Sequence, residues 1–291
     1  MNADMLKLLE GDLDSYPTVL ETRFRRVFDR ILALWGTNEF DPYINSLFIN
    51  DSGSRQGFPD DAMSEIFRLS RLHDAAMQRA QEARLWELEA AKRGIAEMNV
   101  EFSAQGLSVA IEAGRDEAVA LFVQAGFDLE IRNAQGWTPL MIAAFFGHEK
   151  AAATLVQAGA DVHARDGYGY SPIHWAALQG FDAVVDLLLT KGAGANDQSL
   201  HGITPLLQAA AAGHARTVRL LLERRAQPSL PDNEGWTPLH KAVANGHLAV
   251  ILELLDHGAD PEAAHASGLT PVEIARQKHR DHLVAVLTRR G

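Results

Sequence analysis

From about residue 104 onward, apolar residues come in short blocks of helical spacing, most of them closed by glycine and paired across polar turns. The blocks are copies of one another. "NAQGWTPLMIAAFFG" (133–147), "DGYGYSPIHWAALQG" (166–180), "SLHGITPLLQAAAAG" (199–213), "DNEGWTPLHKAVANG" (232–246) and "HASGLTPVEIARQKH" (265–279) align without a gap. Pro139, Pro172, Pro205, Pro238 and Pro271 recur every 33 residues.

Each copy predicts a turn and two helices. Glycine (Gly136, Gly169, Gly202, Gly235, Gly268) suits the tight turn. Thr or Ser then caps the first helix and Pro takes its first position, where a missing N–H is not needed. The alanine pairs 143–144, 176–177 and 209–210 allow a neighbouring helix to approach closely, and Gly147, Gly180, Gly213 and Gly246 end the first helix. The second helix is apolar on one face, as in "VVDLLLTKG" and "TVRLLLERR", and stops at Gly159, Gly192 or Gly258. Arg225 stands where that last glycine belongs, a departure that costs about 1 kcal/mol if the left-handed conformation is kept. One hairpin of this size cannot bury its own apolar faces, so the copies are expected to stack into one cooperative unit.

A fixed 33-residue period with Thr/Ser-Pro opening an apolar run resembles ankyrin repeats, over residues 104–291. The resemblance implies an all-α solenoid of helix-turn-helix repeats with short β-turn fingers. It divides the array into 134–166, 167–199, 200–232 and 233–265, with 104–133 as an atypical first repeat and 266–291 as a polar C-terminal cap. In 104–133 the Thr-Pro pair is missing, and the glycine of "AQG" lies three residues nearer Gly114 than the template places it, which reads as a shortened finger. The resemblance also implies that His174 and His240 steady their turns by hydrogen bonds. His148, His214 and His247 follow the interhelical glycine and are likewise assigned to structure.

Residues 1–75 have a different texture and read as a small helical domain. "SYPTVLETRFRRVFDRILALWG" has Ser15 as a cap, Pro17 early, and apolar residues from Leu20 to Trp35 at helical spacing; "DPYINSLFIN" reads as a second, short helix. "FPDDAMSEIFRLSRLHDAAMQRAQEARLWELEAAKRG" reads as one long or broken helix leading into the array. The wording "LWGTNEFDPYINSLFINDSGSRQGFP" resembles segments of uncharacterised bacterial proteins, which implies no activity. Residues 76–103 read either as a pair of capping helices over the array's first apolar face or as a decayed repeat, because "LHDAA" echoes the first-helix wording.

Composition narrows the chemistry. The chain has no cysteine, which removes disulfides, thiol catalysis and thiolate metal sites. A formal charge of −11 argues against nucleic acid or an anionic membrane surface as the partner, since both are held chiefly by clustered Lys and Arg. No apolar run is long enough for a membrane span and the acidic start does not suit a secretory signal, so a cytoplasmic protein is expected. The loop "NDSGSRQGFPDD" lacks the alternating acidic ligands and closing glutamate of a calcium loop. His279 and His282 lie three apart in what reads as the last helix, but Lys278 and Arg280 oppose a metal between them. No HExxH, GxSxG or phosphate-binding glycine loop is present, and no nucleophile, base and oxyanion site assembles. The expectation is no enzyme, no catalytic residue, no metal and no cofactor.

What remains is a surface for another protein. The resemblance places partner contacts on finger tips and on the exposed side of the first helix, forming a concave face. Positions there that the repeat leaves free include Trp137, Phe145, Phe146, Tyr168, Tyr170, Leu178, Gln179, His201, Trp236 and Asn245. Aromatic side chains crowd the two repeats from 133 to 198, and Trp and Tyr are frequent anchors of interface energy. Tyr168 is the strongest candidate, because the turn does not require it. Trp137, Tyr170 and Trp236 precede the capping residue, where packing against the next finger and partner contact are both open. Trp175, beside the alanine pair, is assigned to the core. The expected function is a non-enzymatic binding module or scaffold. An inhibitor or immunity-type protein masking an enzyme, or an array delivering an N-terminal effector, are the alternatives.

Overall fold

The computed structural model describes the backbone of residues 60–290 and the side chains of residues 78–288; the two helices read between Ser15 and Asn50 and residues 50–59 of the loop after them lie outside the described residues, while Asp60 and Asp61 of that loop are already helical. The chain divides into two units, 1–81 and 82–291. Thirteen α-helices and no β-strand occur among the described residues. They are α1 (Asp60–Glu97), α2 (Ala104–Glu112), α3 (Asp116–Gln124), α4 (Pro139–Phe146), α5 (Glu149–Gln157), α6 (Pro172–Gln179) and α7 (Asp182–Thr190), followed by α8 (Pro205–Ala212), α9 (Ala215–Glu223), α10 (Pro238–Asn245), α11 (Leu248–Asp256), α12 (Pro271–Gln277) and α13 (Asp281–Arg290). None is long and apolar enough to cross a membrane.

The first helices form one layer and the second helices another. Within the inner layer α2, α4, α6, α8, α10 and α12 pack in chain order, and α3, α5, α7, α9 and α11 do the same in the outer layer. Ala143, Ala144, Ala176, Ala177, Ala209 and Ala210 are wholly buried, so the inner helices meet across methyl groups. Leu140, Ile173, Leu206 and Leu239 fill the seam from one end of each first helix, and Leu155, Leu188, Leu221 and Leu254 fill it from the second. The result is one continuous core.

The helix starts follow the capping logic. Thr138, Thr204, Thr237 and Thr270 accept from the backbone N–H groups of Met141, Leu207, His240 and Glu273, each with proline in the first turn. The first-helix ends do something more. Gly213 sits at φ 87°, and a Cβ there would fall 2.7 Å from Nδ1 of His247, a residue of the following repeat. That imidazole in turn reaches the Ala211 carbonyl through Nε2 at 3.0 Å. His214 bonds Leu178 O, and His148 bonds Glu112 O, in the same way. Arg280 replaces the histidine at the last junction and donates to Val243 O. These groups tie their repeats to the end of the one before, except between Gly147 and the next repeat, where the Phe181 ring fills the same space without a hydrogen bond.

The fingers are stapled at the same 33-residue interval. Arg132 Nη1 donates to Gly136 O within its own turn and to Arg165 O in the next, both at 2.8 Å. Arg165 repeats the pattern with Gly169 O and Gln198 O, and Gln198 Nε2 with Gly202 O and Pro231 O. Backbone bonds join successive tips as well: Leu200 N to Tyr168 O, Asn233 N to His201 O, and Ala266 N to Glu234 O.

Four expectations need correction. The glycine of "AQG", Gly106, is not in a finger turn: it lies inside α2, buried, where a Cβ would collide with the Glu101 carbonyl. Ser103 caps that helix instead, accepting from Gly106 N at 3.0 Å, so the repeat starts with the helix and has no short finger. Residues 76–103 do not hold a pair of helices, because α1 runs unbroken across that boundary to Glu97. Ile95 and Val100 then join the core beside Leu107 and Phe122. His279 is not on the last helix: it adopts φ 56° in the turn before α13, in a slot that glycine fills in earlier repeats, and so it does not share a helix face with His282. Trp175, assigned to the core, is only half-buried, for reasons given below. Arg225 does keep the left-handed conformation, at φ 67°.

Two glycine substitutions separate backbone strain from the repeat junction. Gly159 (φ 95°) has nothing within 4 Å of the place a Cβ would take, whereas Gly213 has the His247 ring there. Gly159→Ala is expected to cost about 1 kcal/mol from φ alone, and Gly213→Ala about 1–3 kcal/mol more, read by urea unfolding.

Candidate functional site

Five aromatic rings from two neighbouring repeats touch one another. Trp137 lies 4.5 Å from Trp175 and 5.1 Å from Phe145, ring centre to ring centre. Phe145 meets Phe146 edge-on at 5.2 Å and Trp175 at 5.8 Å. Tyr170 closes the group at 5.3 Å from Trp175. The elements dictate this arrangement: Phe145 and Phe146 end α4, Trp175 rides on α6, which packs against α4, and Trp137 and Tyr170 stand immediately before their capping residues. Offset and edge-on rings at these spacings attract through their quadrupoles.

The cluster is only partly shielded. Trp137, Phe145, Tyr170 and Trp175 are half-buried, and Phe146 is 42% exposed with its ring over His148. Burial raises the Tyr170 hydroxyl above its ordinary pKa; a hydrogen bond with Ser199 opposes this and the Asp166 carboxylate adds to it. Behind the rings stands His174, wholly buried. Its Nδ1 accepts from Ser171 N at 3.2 Å, which places the proton on Nε2, and Nε2 donates to Asp197 O and Ile203 O at 3.0 Å each. His240 repeats the arrangement with Thr237 N and Leu269 O. Each histidine thus joins its own helix cap to the following finger. Burial pushes the pKa of His174 down to about 4 and lowers that of His240.

The other predicted residues are not part of this cluster. Tyr168 is 65% exposed at the finger tip and makes no ring contact; its carbonyl serves Leu200, itself 69% exposed. Leu178 and Gln179 are half-buried at the end of α6. His201 is an exposed finger residue whose N–H bonds Ser199 Oγ at 3.3 Å. Asn245 is exposed, but its Nδ2 donates to Ala211 O at 2.7 Å, so it also serves a junction. Trp236 belongs to a separate group: it stacks on His265 at 4.6 Å, and Lys241 Nζ lies 4.7 Å above its ring.

Three residues went unrecognised in the sequence. Trp175 was one: its repeat position is polar in two copies, Gln208 and Lys241, but a buried isoleucine in two others, Ile142 and Ile274, so the pattern did not mark it as open. His265 was another, hidden because the same slot holds Asn133, Asp166, Ser199 and Asp232. The third is Asp166. Its Oδ1 accepts from Tyr168 N and Tyr170 N, both at 2.9 Å, a side-chain turn cap that Asn133, Ser199 and Asp232 reproduce. Among the described residues no group of three or more His, Asp or Glu is placed to hold a metal ion.

Stacked hairpins with bonded fingers and paired inner and outer helices define a helical repeat protein. The family model for ankyrin repeats (3 copies) matches residues 72–166, 107–199 and 173–265, more than half of the chain, and the chain belongs to that family. Its match begins within α1, ahead of the expected array boundary at residue 104. No curated protein matches the chain.

Two measurements check the site. Because His174 stays neutral in the fold down to about pH 4 while the unfolded chain takes up its proton near pH 6.5, stability is full above pH 6.5 and falls as the pH drops toward 4. The loss from this residue is expected to be about 3 kcal/mol in denaturant titrations, and His174→Gln should flatten that slope while lowering stability at pH 7. Trp137→Ala should cost about 2 kcal/mol because its ring packs on the core and on two others, whereas Tyr168→Ala should change stability by less than about 0.5 kcal/mol.

Proposed function

We propose that the array is a non-catalytic protein-binding module, and that a partner protein seats on the aromatic cluster of the 133–198 repeats with Tyr168 and Leu200 at the adjoining finger tips. Ankyrin repeats are in general protein–protein interaction modules. The observation that carries the finer reading is the set of five touching rings left half open, beside two finger-tip side chains that are mostly exposed. Rings already packed against one another lose little conformational freedom when a partner covers them, which favours their use as anchors. Trp236 and Asn245 are assigned to the periphery, since each side chain is already engaged by its own or the neighbouring repeat, and His201 to the next finger tip along, with only its backbone bonded. The binding surface follows the concave side of the fingers and first helices, and the protein works in the cytoplasm without a cofactor.

The test uses the full chain and a partner captured by it. Tyr168→Ala combined with Phe146→Ala should leave the unfolding midpoint within about 1 kcal/mol of the parent yet weaken partner affinity by at least about 2 kcal/mol, measured by calorimetry. Arg216→Ala, on the outer helix α9 with its side chain 91% exposed, serves as the control and should leave affinity unchanged. Equal affinity of the double variant and the parent discards the patch.

A further inference from the structure

Among the described residues, two buried side-chain polar atoms have no protein partner: Asp166 Oδ2 and Trp175 Nε1. Asp166 closes one repeat and Trp175 lies on the first helix of the next, and both residues adjoin Tyr170: Asp166 Oδ1 caps its N–H, and Trp175 contacts its ring. A buried carboxylate oxygen with nothing to accept from is costly to maintain, and such groups point to a ligand or a strained function.

The repeat itself shows what is missing. Two periods of 33 residues on, Asp232 stands where Asp166 does, Trp236 where Tyr170 does and Lys241 where Trp175 does. There the circuit is complete. Asp232 Oδ1 caps the turn as Asp166 Oδ1 does, Asp232 Oδ2 pairs with Lys241 Nζ at 3.1 Å, and the ammonium lies 4.7 Å over the Trp236 ring. Around residues 166–175 the carboxylate and the ring are kept, but the lysine has become an indole. Arg165, the cation next along the chain, is engaged with Gly169 O, Gln198 O and the Asp197 carboxylate. Asp166 therefore retains an acid whose internal counter-ion has been replaced by a further wall of aromatic surface.

We propose that a basic side chain, lysine or arginine, from the bound partner protein supplies that counter-ion: it sits against the Tyr170 and Trp175 rings and pairs with Asp166, while the Trp175 indole N–H donates to a carbonyl of the same partner segment. Cations bind aromatic faces through the ring quadrupole, and pairing with a desolvated carboxylate strengthens the attachment. The formal charge of −11 on the whole chain draws such a partner in the same sense. This inference rests on the aromatic cluster being the partner site.

The experiment selects peptides from a displayed random library on the full-length protein and measures the affinity of the winners for four proteins: the parent, Asp166→Asn, Asp232→Asn, and the Tyr168→Ala/Phe146→Ala double variant. Asparagine at 166 keeps the Oδ1 that caps the turn and removes the charge. Selected peptides should carry a Lys or Arg whose replacement by norleucine weakens binding about ten-fold or more, and Asp166→Asn should match that loss. Asp232→Asn should leave peptide affinity unchanged. Peptides that bind the cluster equally well with norleucine overturn the cationic partner and leave the cluster standing. Peptides indifferent to the double variant overturn the cluster itself, and a library that yields no binder counts against both. Should Asp166→Asn fail to fold, the norleucine peptides on the parent protein decide the matter alone.

Discussion

The whole array rests on the junction between one hairpin and the next. Helices of eight or nine residues are too short to be stable in isolation, and two of them cannot bury their apolar faces against each other alone. The deficit is made up by neighbours, and the sequence devotes its most demanding positions to that contact. The glycine that follows every first helix but the last allows the left-handed turn and also leaves room for the ring or guanidinium of the following repeat. Where that incoming group is His148, His214, His247 or Arg280 it also bonds a carbonyl at the end of the preceding helix, while Phe181 fills the space by packing alone. Backbone conformation, close packing and hydrogen bonding are satisfied at one point, which is why a single glycine slot recurs so regularly.

A second set of bonds acts at the other end of each hairpin. Arg132, Arg165 and Gln198 each hold their own turn and the next, and the buried histidines 174 and 240 tie a helix cap to the following finger. Both kinds of tie connect residues roughly one period apart. Stability in this molecule is accordingly a nearest-neighbour property, in which the loss of one junction weakens two repeats. The neutral state of His174 follows from the same geometry, because Nδ1 must accept and the ring is shut away from water.

Function enters where the repeat departs from itself. Phe145 and Trp175 occupy positions that other copies fill with smaller or charged side chains, as Ala211, Ile142 and Lys241 show, and Trp137 and Tyr170 share a slot that is Ile203, Trp236 or Leu269 in the other copies. The departures are grouped in neighbouring repeats, so that their rings come into contact and stay half open. Asp166 adds an acid to that group without a cation of its own. The Trp236 group marks the contrast: it has its own lysine and a stacked histidine, and is complete without a partner.

The sequence alone was enough for the all-α repeat architecture, the caps and stops of the helices, and the junction histidines, because these depend on local backbone chemistry repeated at a constant interval. It was also enough to place Tyr168 at an exposed tip and to group the aromatic residues near one another. Tertiary structure decided the rest. Gly106 looked like a turn residue because glycine serves both turns and close helix contacts, and only the Glu101 carbonyl beside it tells the two apart. Trp175 looked like core because adjacent alanines are core, but its side chain leans toward the ring of the previous repeat, Trp137, a contact between residues 38 positions apart. Asp166 looked like any other turn cap, since one carboxylate oxygen does that work; the second finds a partner in the Asp232 copy through the side chain nine residues along, Lys241, and no local pattern records that the Asp166 copy lacks one.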